Sequence, residues 1–93
     1  MDIINNDLCP KIEELAAKLT PPSQMAALLD VNEDSLRLAL SHHGSPARIA
    51  FMRGMANTAN KIRENNIELA NAGSPDAIHS CFSSMREMLS DLD

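Results

Sequence analysis

At 93 residues the chain holds one domain's worth of sequence, enough for one modest core and too little for a catalytic domain beside a partner domain. Its 44% hydrophobic content excludes a disordered chain, and its net charge of −5 excludes a protein that is basic all over. Phe51 and Phe82 are its only aromatic residues, which excludes a base-stacking surface for single strands.

Strand signals are absent: β-branched residues are few and no period-2 alternation is sustained. The first helix is predicted from about Leu8 to Leu19, with Asp7 as cap, Pro10 in the first turn and one stripe of Leu8, Ile12, Leu15 and Leu19. Thr20-Pro21-Pro22-Ser23 breaks it, and a short second helix starts near Pro22 or Ser23 and ends at Leu29. Met25, Leu28 and Leu29 form its apolar side, while Ala26 and Ala27 allow close approach. Asp30-Val31-Asn32 reads as a tight turn whose Asn32 caps a third helix predicted over 33–42, with Leu36 and Leu40 inward. Glu33 and Asp34 stand in its first turn, where the helix dipole favours negative charge.

Gly44-Ser45-Pro46 and Gly73-Ser74-Pro75 repeat one boundary chemistry. Glycine takes the left-handed position after a helix, serine caps the next, and proline fills its first position. These stops predict a fourth helix over 46–72 and a fifth over 75–90. On the fourth, Phe51, Met55, Ile62 and Leu69 share a line. At 1.5 Å per residue that helix is about 40 Å long, more than three short helices can cover. The fifth, through Ile78, Phe82, Met85 and Leu89, folds back as an antiparallel partner. The expected fold is therefore all-α: a helix-turn-helix head (1–44) followed by a long antiparallel helical hairpin, the oligomerisation region (45–93). Apolar surface left over predicts a homo-oligomer through Phe51, Met55, Ile62, Leu69, Phe82 and Met85.

Charge is segregated. Residues 1–34 carry seven acids against two bases, and residues 64–93 carry six acids against Arg86 alone. Between them Arg37, Arg48, Arg53, Lys61 and Arg63 meet no acid, a local positive field that suits phosphates or an acidic partner. Other chemistries find little. Adjacent His42 and His43 point to different sides of a helix, and neither they nor His79 belong to a spaced ligand set, so no metal is expected. Ser45 and Ser74 lack a base partner, and no glycine-rich phosphate loop is present, so no cofactor and no enzymatic activity are expected. Cys9 and Cys81 belong to no CxxC pair and read as buried reduced thiols. Gly54 interrupts the fourth helix, either as a tolerated surface glycine or for close passage of another helix or a phosphate. No stretch approaches 18 apolar residues, and residues 1–6 hold neither a basic region nor an apolar signal core, so a cytoplasmic protein without membrane contact is expected.

Residues 25–37 fit the helix-turn-helix pattern: Ala26 lets two helices cross, Val31 plugs the turn and Leu36 anchors the second helix. If the motif reads double-stranded DNA, the third helix enters the major groove and Arg37 meets guanine or phosphate, flanked by Arg48 and Arg53. Glu33 and Asp34 would repel phosphate and are explained more simply as helix-start residues.

The order of parts resembles the small terminase subunit family of tailed bacteriophages and prophages over about residues 23–80. The more telling steps are Arg53-Gly54-Met55-Ala56 in the long helix and Ala70-Asn71-Ala72-Gly73-Ser74-Pro75-Asp76-Ala77 after it. The resemblance implies a non-catalytic protein that recognises viral DNA, assembles as a ring or dimer through its hairpin and regulates a separate large terminase subunit. It places Asn32, Ser35 and Arg37 at recognition-helix positions. Two other classes stay open: a helical adaptor that does not touch DNA, and a small helix-turn-helix transcriptional regulator or antitoxin.

Overall fold

A computed structural model describes residues 4–92. They form a 3-10 turn, Asn6–Leu8, and five helices: α1 Cys9–Ala17, α2 Pro22–Leu29, α3 Glu33–Ser41, α4 Pro46–Asn71 and α5 Pro75–Leu92. No strand occurs among the described residues, so the fold is all-α. The helix punctuation follows local chemistry. Asn32 Oδ1 accepts from Ser35 N at 3.0 Å, Ser45 Oγ from Arg48 N at 3.1 Å and Ser74 Oγ from Ala77 N at 3.4 Å. Gly44 and Gly73 take φ of 82° and 97°, the left-handed region expected of them.

The start of α1 differs from expectation. Asn5, not Asp7, supplies the side-chain cap, and it caps the 3-10 turn by accepting from Asp7 N. α1 begins a residue after Leu8 and has no side-chain cap of its own. It also ends early, because Leu19 turns left-handed at φ 62°. Leu19 N donates to Ala16 O and Thr20 N to Leu15 O, the paired bonds that close a helix around a left-handed residue. Leu19 thereby leaves the apolar stripe and stands exposed.

The chain divides into two compact units, one up to Thr58 and one from Ala59 onward. The first unit runs past the expected boundary at 44/45 and takes in the opening half of α4. Its core is Ile12, Ala16, Met25, Ala26, Leu36, Ala47 and Ala50, with Leu8, Leu15, Leu29, Val31, Leu40 and Phe51 packed around it. Ala26 takes the inward place expected of Leu28, which is 67% exposed. α4 enters this core along a face of small residues, Ala47, Ala50 and Gly54, all buried. Gly54 lies against α1: a Cβ there would collide with Glu13 O and press on Ala16 Cβ and Ala17 N at 3.0 Å. One turn on, Thr58 Oγ1 donates to the free Ala17 carbonyl at the end of α1. Of the readings open for Gly54, close passage of a helix is the one observed.

In the second unit, the remainder of α4 and α5 run antiparallel. Asn60 and Arg63 border one groove with Ser84, Met88 and Asp91, while Ile67 and Asn71 border another with Ile78 and Phe82. Asn66 Nδ2 donates to Ser80 Oγ across the pair at 3.4 Å. Ala77 is the only residue of α5 that is buried.

Candidate nucleic-acid interface

The head is built on the α2–α3 pair. Met25 and Ala26 on α2 and Leu36 on α3 are buried in one cluster. Asp30 takes φ 56° and ψ 48° at the turn, where its short polar side chain tolerates left-handed geometry. Val31 N donates to Ala26 O at 3.0 Å, which fixes the turn against the end of α2. This packing leaves Asn32, Glu33, Asp34, Arg37 and Leu38 exposed on the outer face of α3.

Ser35 is a correction. It is buried, with 9% of its surface exposed, because it lies beside Leu36 on the inner side of α3. Asn32 is exposed, but its side-chain oxygen is engaged as the cap of α3.

The three candidate arginines of the first unit are all engaged. Arg37 Nε donates to Glu33 Oε2 at 2.9 Å, an i,i+4 pair with both side chains about half exposed. Arg48 Nη1 donates to Leu40 O at 2.9 Å, satisfying a carbonyl near the end of α3. Ser45 Oγ donates to Ala39 O at 2.6 Å, so the residue that caps α4 also ties down the end of α3. Arg53 Nη1 stands 3.7 Å from Glu13 Oε1 on α1. Five positions apart on α4, Arg48 and Arg53 point about 140° from each other. They serve different neighbours and do not form one flank of the α3 face. The acid-free run of sequence is thus partly neutralised in space by acids from outside it. The Glu33–Arg37 pair was legible from its spacing alone, whereas the Arg48 bond to a backbone carbonyl carries no sequence signal. Lys61 and Arg63 make no ion pair among the described residues, and they belong to the second unit.

The candidate oligomerisation residues also separate. Phe51 is a second correction: it is half-buried against the first unit's core, because the α4 face that meets α1 carries it inward. Ile62, Leu69, Phe82 and Met85 are exposed, and Met55 is at the edge of exposure at 37%. On α5, Ile78, Phe82, Met85, Leu89 and Leu92 are spaced 4-3-4-3, and all five are exposed. That spacing is the seam of a coiled coil. The least exposed residues of α5 are small, Ala77, Ser80, Cys81, Ser83 and Ser84, while Ile78, Phe82 and Met85 border the groove between α5 and α4 and keep one side in water.

Among the described residues, no three His, Cys, Asp or Glu side chains gather as metal ligands would. Cys9 and Cys81 are free and half-buried rather than fully buried, one in each unit. No helix among the described residues is long and apolar enough to cross a membrane. Set against known proteins, the chain matches no family model, no curated protein and no solved structure.

Proposed function

We propose that this chain is a non-catalytic, self-associating protein of the cytoplasm that binds double-stranded DNA through α3, in the manner of a small terminase subunit. The observation that supports it is the α2–α3 packing. Met25, Ala26 and Leu36 face inward, the turn is closed by Val31, and Asn32, Arg37 and Leu38 face out. A helix so held is free to enter a major groove. Self-association through a second copy of the hairpin is supported by the 4-3-4-3 seam of α5, whose five apolar side chains all stay exposed although the hairpin is formed. Two copies laid seam to seam remove those side chains from water and cost no buried charge. In this role a large terminase subunit is the further partner.

A gel-shift titration at low and moderate salt, read beside mass by light scattering, tests the reading. DNA binding should weaken steeply with salt, because phosphate contacts release counterions, and the mass should be that of a dimer or a ring. The adaptor reading has one observation in its favour: Arg37, Arg48 and Arg53 all hold internal partners. It predicts the same mass and no shift of DNA at low salt.

A further inference from the structure

The outer face of α3 opens with an acid that a phosphate-facing helix would do better without. Glu33 sits at the first position of α3, and its side chain is neither buried nor used as a cap. Its Oε2 accepts from Arg37 Nε at 2.9 Å. That single bond uses the inner edge of the guanidinium and leaves the two terminal nitrogens as a free fork. It also leaves Glu33 Oε1 as a free acceptor beside that fork. A guanidinium fork matches the O6 and N7 acceptors of guanine, and a carboxylate matches the N4 amine of cytosine. Residues of the first turns of a recognition helix are those that reach base edges.

We infer that Glu33 and Arg37 act as one specificity-determining dyad. Arg37 reads guanine, and Glu33 both orients the fork and accepts from the cytosine amine of the same or an adjacent pair, so the bound site carries a G·C step under the start of α3. The inference rests on the DNA-binding reading above and adds the base class it selects. The carboxylate is a discriminating element: it repels phosphates at every sequence and is compensated only where a base amine meets it, which opposite the guanine held by the Arg37 fork is the N4 of cytosine.

The test is selection of bound sites by the full chain from short duplexes with a randomised centre, followed by affinities for the selected site and for a duplex with the G·C step changed to A·T. Wild type should select G·C at a fixed position and favour it about tenfold or more, the range of one good bidentate contact. Arg37→Lys keeps the charge and loses the fork, so it should retain non-specific binding and lose that preference. Glu33→Gln should bind non-specific duplexes more tightly while its preference falls. If wild type binds DNA and both variants keep its base preference, the dyad is overturned and the DNA-binding reading stands. If wild type binds no duplex at low salt, both fall together.

Discussion

Leu19 and Gly54 govern how α1 is used, and each makes a stability prediction. Leu19 holds φ 62° with its side chain 57% exposed, so it bears the left-handed strain of a non-glycine residue and recovers little burial in return. That strain costs about 1–2 kcal/mol, partly offset in glycine by its greater chain entropy. Leu19→Gly should therefore raise the midpoint of urea unfolding, with a gain of up to about 1 kcal/mol. Gly54 has the opposite sign. Exposed helix positions favour alanine over glycine by about 1 kcal/mol, but here the added methyl strikes Glu13 O and the backbone of Ala17. Backbone cannot swing aside as a long side chain can, so overpacking prevails, typically at 1–3 kcal/mol. Gly54→Ala should lower the unfolding midpoint, and an unchanged or raised midpoint would mean that α1 and α4 do not meet there.

At the scale of the element, the junction between α3 and α4 is the best-tied segment in the chain. Ser45 Oγ both accepts from Arg48 N and donates to Ala39 O, while the Arg48 side chain returns to Leu40 O. The other glycine–serine–proline boundary has backbone bonds but a single side-chain bond, the 3.4 Å cap at Ser74. Ser45→Ala should therefore cost more than Ser74→Ala, about 1–2 kcal/mol against about 0.5–1 kcal/mol, measured by denaturant unfolding. Arg48→Ala should loosen the end of α3 even without DNA, seen as faster amide exchange there. These junctions show why the element boundaries were so readable. Proline at a helix start, a capping serine and a left-handed glycine each act through their own backbone, so Gly44, Ser45, Gly73 and Ser74 carry the boundary wherever they stand. Leu28 departs from expectation because periodicity marks a stripe but not which helix will cover it, and Leu19 because no glycine announces the left-handed turn that ends α1. Ser35 was misplaced for a related reason. The family pattern assigns it a position on the reading helix, while its neighbour Leu36 fixes which way that helix is turned. Tertiary partners such as Glu13 for Arg53 lie forty positions away and leave no mark on local sequence.

At the scale of the whole molecule, the two compact units differ in how they are held. The first has three large side chains with no exposed surface, Ile12, Met25 and Leu36, and so has a core of its own. The second buries Ala77 and little else, while Phe82, Met85, Leu89 and Leu92 stand more than half exposed. Fully burying one large apolar side chain contributes roughly 1.5–3 kcal/mol, and an isolated helical pair without such burial is marginal in water. The stability of the hairpin should therefore depend on chain concentration, as it does wherever a partner binds the folded state alone. Diluting the protein should lower the thermal midpoint of the hairpin and leave that of the first unit in place. Leu89→Glu, within the α5 seam, would place a charge where a second copy covers it. That variant should run as a monomer by light scattering, with fast amide exchange across α5 and slow exchange retained at Ile12 and Leu36. Slow exchange in α5 of a wild-type monomer, unchanged on dilution, would show that the hairpin needs no second copy and would remove the seam from the account.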